Sequence, residues 1–233
     1  MSLANNIDYD YLMKFLALGD TGVGKTSFLY QYTDGKFHSQ FISTVGIDFR
    51  EKRVNYNSRG RIYRIHMQLW DTAGQERFRS LTTAFYRDAM GFLLMFDLTN
   101  EKSFLEITNW LEQLRMHAYS NNPDIVLCGN KCDLETNRVI STEQGQALAN
   151  RYQLPYIEAS ACTGLNVKEA IELLLGQVME RMENSINNPE LARLMLGGGS
   201  RTSIIDRNIR MSISAEEVKD KDKEHFTKNH CNC

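Results

Sequence analysis

No window of this 233-residue chain holds the ~18 uninterrupted apolar residues that a membrane-crossing helix needs. An excess of one charge is missing too. Lys and Arg number 27 against 29 Asp and Glu, and a net charge of −2 gives no global field to attract nucleic acid or an anionic membrane. The opening stretch, MSLANNIDYDYLMKF, is acidic where a secretory leader is basic, and its apolar run comes too late. No Asn-x-Ser/Thr glycosylation signal occurs. These absences lead us to expect a cytosolic protein with no nucleic-acid partner.

Cysteine is scarce, and in the cytosol a structural disulfide is not expected. Cys128 lies in the apolar run DIVLCGN and reads as a small buried hydrophobe. Metal-ligand spacing is also lacking: Cys231, Cys233 and the adjacent His230 make three potential ligands where structural zinc takes four. The closing KNHCNC therefore leaves several readings open at this point, among them an attachment site and an inert pair of thiols.

What is present is an ordinary globular composition, 42% hydrophobic and 24% charged, with room for one sizeable core and a tail or for two small domains. Strand-like and helix-like segments alternate. YLMKFLALG ends in a glycine loop, and a helix is expected from Lys25 to Tyr32. GIDFREKRVNY and RIYRIHMQLWD alternate apolar with polar residues around NSRG, the pattern of a β-hairpin. GFLLMFDL and DIVLCGN are continuous apolar runs, as expected of strands buried on both faces, and LPYIEAS is a shorter sixth strand. Helices are expected over 102–119, 142–152 and 167–183. The runs from Ser141 to Gln144 and from Asn166 to Glu169 both match a helix-capping pattern. In the last helix Ile171, Leu174, Leu175, Val178, Met179 and Met182 make one apolar face, which is core. The expectation is an α/β fold: a six-stranded, mostly parallel sheet with one antiparallel edge strand and helices on both faces. This domain should span residues 9–184. Residues 185–233, with GGGS near their start and a single aromatic beyond it, should form a flexible tail.

Four motifs carry chemistry. GDTGVGKT follows a strand and opens a helix, the context of a phosphate-binding loop. Asp20, Thr21, Gly22, Val23 and Gly24 present backbone N–H groups to phosphate oxygens. Lys25 supplies a point charge, Thr26 offers a hydroxyl to Mg²⁺, and Ser27 completes the helix's first turn. In WDTAGQE, Asp71 ends a strand where a carboxylate would hold the metal's shell through water. Gly74 places an N–H near a γ-phosphate, and Gln75 is an amide able to orient an attacking water. In NKCD, Asp133 is acceptor-only and pairs with the N1–H and amine of guanine, which adenine does not match; Ser160, Ala161 and Cys162 form a loop beside it. Thr44, in FISTVGIDF, can reach the metal only when a γ-phosphate holds its loop closed, which is an order–release switch.

With these motifs in order, the chain resembles the Ras-like small GTPases and, within them, the Rab family, over about residues 9–182 and most specifically in WDTAGQERF and TVGIDF. YQYTDGKF, TVGIDFREKRV, RFRSLTTAFYRDAMGFLL and NPDIVLCGNKCDL are similar to the regulated-secretion subgroup numbered twenty-seven. The hairpin turn is shorter than in that subgroup, Cys162 stands where many small GTPases have lysine, and Thr21 where many Rabs have serine. The resemblance implies that Phe37 stacks on guanine, that 41–47 and 73–87 are the two switch loops, and that Asn130, Lys131 and Asp133 form the base pocket. It also implies an effector surface at Ile47, Phe49, Trp70 and Phe85, although those aromatics could equally be core.

The implied activity is slow hydrolysis of GTP to GDP, on the order of 10⁻⁴ to 10⁻² s⁻¹ without help. The implied partners are an exchange factor, a GTPase-activating protein, a GDP-dissociation inhibitor, prenylation escort proteins and GTP-dependent effectors on secretory vesicles. Gln75 argues against a GTP-loaded scaffold that never turns over. The ending argues against a soluble transport GTPase, because CNC resembles the Rab signal for geranylgeranyl groups on Cys231 and Cys233. From Gly197 onward seven Lys and Arg face six Asp and Glu, so the tail offers a bilayer little electrostatic pull, and two lipid chains would anchor where one does so only marginally.

Overall fold

The computed structural model describes residues 9–38, 44, 47–72, 85–86, 88–118 and 122–186. Within them the chain runs β1 (Tyr11–Leu18), α1 (Lys25–Asp34), β2 (Ile47–Ser58), β3 (Arg61–Thr72), β4 (Gly91–Asp97), α2 (Glu101–Leu105), α3 (Ile107–His117), β5 (Asp124–Asn130), α4 (Thr142–Tyr152), β6 (Tyr156–Ala159) and α5 (Val167–Ile186), with a 3-10 turn at Glu135–Asn137. The strands lie in the order β2-β3-β1-β4-β5-β6. Every neighbouring pair is parallel except β2 with β3, the expected antiparallel edge.

Period-two alternation puts successive residues of β1 on opposite faces of the sheet. Met13 and Phe15 join a core under α1 and α5 with Phe28, Leu174, Val178 and Met182. Leu16 and Leu18 join a second core under α3 and α4 with Phe92, Phe96, Trp110 and Leu114. β4 is buried along its whole length and β5 along all but its first residue, which explains their uninterrupted apolar runs. β3, between β2 and β1, alternates over its second half, with one face on the core and the other only half-buried. The hairpin closes Ser58 against Arg61 through Arg59 and Gly60, whose φ values of 50° and 80° suit the twist of the flanking strands.

Two local expectations change. The helix read over 102–119 is interrupted at Glu106 and becomes α2 and α3. Ser103, the donor to the Asn100 cap, also turns its hydroxyl onto the Asn100 carbonyl at 2.8 Å, the kind of side-chain competition that breaks a regular ladder. Ser141 and Gln144 form the expected reciprocal capping box, but Asn166 does not cap in that way. Its φ is 56°, and its amide donates to the Glu158 carbonyl at 2.7 Å, tying the start of α5 to β6.

Because β1, β3, β4, β5 and β6 run the same way, their carboxyl ends bring Gly19, Asp71, Asp97, Asn130 and Ser160 to one edge. Open sheets of this kind bind ligands at that edge.

Candidate functional site

Two glycines shape the loop after β1. Gly19 has φ 136°, and a Cβ there would lie 2.1 Å from the Met95 carbonyl oxygen; at Gly24, φ 96°, a Cβ would lie 2.4 Å from Asn130 Nδ2. Neither place admits a side chain. Gly24 precedes α1 without a side-chain cap, so the first N–H groups of the helix face the loop's concave side uncapped. Thr21 and Gly22 are exposed at the rim, Val23 is buried, and Ser27 is half-buried in the first helical turn.

Lys25 is buried beneath this loop, and its Nζ donates to the Gly19 and Asp20 carbonyls at 2.7 and 2.8 Å. Burial pulls its ammonium down from the ordinary 10.5 to about 8, against the pull of Asp71 and Asp20. Beside it three oxygens converge. Thr26 Oγ1 donates to Asp71 Oδ2 at 2.5 Å, Thr44 Oγ1 donates to the same oxygen at 2.9 Å, and the two hydroxyls are 2.8 Å apart. Burial holds the Asp71 carboxyl above the usual range, although the hydroxyls and Lys25 favour its charged form. Its other oxygen, Oδ1, is buried without a hydrogen-bond partner among the described residues. Hydroxyl and carboxylate oxygens around an orphaned acceptor are a donor set that fits a hard divalent cation such as Mg²⁺.

The other end is formed by the turns after β5 and β6. Asn130 is buried, donates from Nδ2 to the Val23 carbonyl at 2.8 Å and accepts at Oδ1 from the Ala161 N–H at 3.1 Å. It therefore joins the phosphate loop to the β6 turn. Lys131, in the left-handed region with φ 67°, pairs with Asp97 Oδ2 at 2.6 Å. Ser160 Oγ donates to Asp133 Oδ1 at 2.6 Å and receives the Thr163 N–H at 3.0 Å. Phe37 and Cys162 are exposed.

Three contacts were not read from the sequence. Asp97 is the last residue of β4 and Asp71 the last but one of β3, a repeated signal that could have marked it. The Ser160 side chain meets Asp133. The third is Trp110 of α3, whose indole Nε1–H donates to Asp20 Oδ1 at 2.9 Å; a tryptophan on an apolar helix face gives no such signal. On the far side of β3, Trp70 stacks on Phe49 and tilts against Phe85, both at 5.2 Å, with the Lys14 ammonium 4.4 Å above Trp70. Phe49 is 50% exposed, so this aromatic row reaches the surface. Of Ile47 the strand position alone is described. Gly74, Gln75, Cys231 and Cys233 lie outside the described residues, as do most of the two switch loops.

The model of the Ras family matches residues 14–180, which takes in all of the sheet but the first three residues of β1, and both ends of the site. The chain belongs to the Ras family. Among its Ras-family relatives, Ras-related protein Rab-27A of Homo sapiens is 68% identical over 186 residues, 77% of this chain and 84% of that protein. Rab-27A of Canis lupus familiaris is 63% identical over 202 residues, 84% of this chain and 91% of its own length. Ras-related protein Rab-27B of Homo sapiens is 59% identical over 199 residues, 83% of this chain and 91% of that protein. The Rab resemblance, and the subgroup within it, are borne out. This Ras-family protein is a Rab-type switch that binds and hydrolyses GTP, and neither a non-hydrolysing scaffold nor a soluble transport GTPase is favoured. Ras-family GTPases in general use Mg²⁺ and work with exchange, activating and effector proteins.

Proposed function

We propose that the two ends of this edge hold one GTP molecule, phosphates over Gly19–Thr26 and guanine against Asp133. The observation that supports this most strongly is the convergence of buried Lys25 with Thr26, Thr44 and Asp71 at one end of a cradle whose other end is an acceptor-only carboxylate. Lys25 exchanges its two carbonyl partners for the β- and γ-phosphates. Backbone N–H groups from Asp20 to Ser27 complete the anion cradle. Thr26, Thr44 and, through water, Asp71 would hold Mg²⁺, which when bound would supply positive charge beside the phosphates. Asp133 accepts from the guanine N1–H and amine, with Ser160 fixing its carboxylate, Ala161 and Cys162 lining the base and Phe37 stacking on it. Asn130 and Lys131 hold the pocket's frame through Val23, Ala161 and Asp97.

Gln75 orients the attacking water, and the Gly74 N–H senses the γ-phosphate. Phosphoryl transfer depends on positioning and charge stabilisation, so the activating protein speeds this slow step by supplying the further positive charge that the site lacks. Thr44 couples the γ-phosphate to its loop, so hydrolysis releases the surface around Ile47, Phe49, Trp70 and Phe85 from effectors. Residues 9–184 form the GTPase domain. Residues 185–233 form a tail carrying geranylgeranyl groups on Cys231 and Cys233. These place the domain on the cytoplasmic face of secretory vesicles, with a cytosolic pool bound to a GDP-dissociation inhibitor after delivery by escort proteins. Loaded with GTP, the domain recruits tethering effectors for regulated exocytosis.

Single-turnover hydrolysis tests the catalytic assignment. Gln75→Leu should slow GTP cleavage at least tenfold with an activating protein present while leaving GTP affinity nearly unchanged. Equal rates for variant and parent would remove Gln75 from its role.

A further inference from the structure

Asp20 is the one acidic residue in GDTGVGKT, and it stands where a polyphosphate is to be bound. A free carboxylate in that position would repel the ligand. The fold restrains it from two sides. Its main-chain carbonyl accepts from Lys25 at 2.8 Å, and its side-chain Oδ1 accepts from the Trp110 indole at 2.9 Å. Trp110 is itself only 2% exposed, packed in the second core from α3. An indole N–H is a donor with no acceptor capacity, so this partner can only hold a negative group and never compete with it for phosphate-facing donors.

Lys25 is the less permanent of the two restraints, because the bound phosphates claim its ammonium. Among the described residues, side-chain hydrogen bonds from Asn130 to the Val23 carbonyl and from Trp110 to the Asp20 carboxylate then remain. They grip the loop near its two ends. The first is a neutral contact to main chain; the second decides where a charge sits.

We infer that Trp110 is a positioning residue for the nucleotide site, holding the Asp20 carboxylate toward α3 and away from the phosphates. This rests on the reading of Gly19–Thr26 as the phosphate cradle. Removing the indole N–H frees the carboxylate to face the ligand and speeds nucleotide release, for GDP and GTP alike.

The test is a four-protein cycle of the full chain: parent, Trp110→Phe, Asp20→Asn and the double variant, each loaded with fluorescently labelled GDP and Mg²⁺. With Asp20 present, Trp110→Phe should release GDP about tenfold faster, the scale of a lost hydrogen bond to a charged group. In the Asp20→Asn background the same change should cost at most about threefold, because no charge remains to misplace. Equal acceleration in both backgrounds would make Trp110 a packing residue and overturn the inference, as would no acceleration in either. A parent that retains no labelled GDP would instead fail the cradle reading, and the inference with it. A second readout does not depend on the folding of Trp110→Phe. In ¹H–¹⁵N spectra of the GDP-bound protein, Asp20→Asn should move the Trp110 indole resonance and leave that of Trp70 in place. An unresponsive Trp110 indole would overturn the inference.

Discussion

Asn130, at the base end, uses both ends of its amide on partners within the protein, Val23 and Ala161, and Lys131 and Asp133 are likewise engaged by Asp97 and Ser160. At the phosphate end, burial pulls the Lys25 ammonium down to about 8 and leaves Asp71 Oδ1 without a partner among the described residues. Asn130 and Ser160 are buried at the base end while Asp133 is exposed, and Lys25 and Asp71 are buried at the phosphate end; the first end is satisfied by the fold and the second keeps unspent capacity for charge. A buried polar group left unpaired is costly, so proteins retain one chiefly where something else completes it. On the proposed reading the base end is architecture that also selects a ligand, and the phosphate end is the part whose polar groups a ligand completes.

Three substitutions or conditions sharpen that contrast, in falling order of effect. Lys25→Ala should cut GTP affinity by about 10³-fold, since it removes a buried cation from a phosphate pair. It should lower the unfolding midpoint of the nucleotide-stripped protein less than it lowers affinity, because burial disfavours the deleted cation and offsets the loss of its bonds to the Gly19 and Asp20 carbonyls. Equilibrium binding and thermal unfolding check the two halves separately. Asn130→Ala should behave oppositely and lower unfolding stability by about 2–4 kcal/mol, as it strands the Val23 carbonyl and the Ala161 N–H. Chemical denaturation without nucleotide reads this directly.

The smallest effect is a proton. Lys25 in the fold titrates near 8 against an ordinary 10.5, so between those values the folded chain holds fewer protons than the unfolded one. The stability contributed by this group therefore rises with pH across that window. Phosphate oxygens favour the charged ammonium and reverse the shift. GTP binding at pH 9 should therefore take up part of a proton that binding at pH 7 does not. Calorimetry in buffers of different ionisation enthalpy measures it, and equal uptake at both pH values would remove Lys25 as its source.

The contrast also explains what could be read in advance. Continuous apolar runs announced β4 and β5 because both faces of those strands are covered, and GDTGVGKT announced the loop because its glycines tolerate φ values that side chains resist. The convergence of Lys25, Thr26, Thr44 and Asp71 could be anticipated because the proposed phosphate and hard cation would demand those groups at that spacing. Asp97, Trp110 and the Ser160 hydroxyl were not, since each acts on another side chain and not on a ligand, through pairings that only the strand order creates. The break at Glu106 and the failed cap at Asn166 were hidden for a related reason. Ser103 and Asn166 had alternative carbonyls to bind, and which one wins depends on tertiary placement.

A crystal structure of the chain with Mg²⁺ and a non-hydrolysable GTP analogue separates the two ends most directly. Lys25 Nζ should leave the Gly19 and Asp20 carbonyls for the β- and γ-phosphates, and the Thr26 and Thr44 hydroxyls should turn from Asp71 to the cation. Asn130 should keep Val23 and Ala161, Lys131 should keep Asp97, and Asp133 should pair with the guanine edge. A complex in which Lys25 stays on its carbonyls, or in which guanine lies away from Asp133, would contradict this assignment of the site.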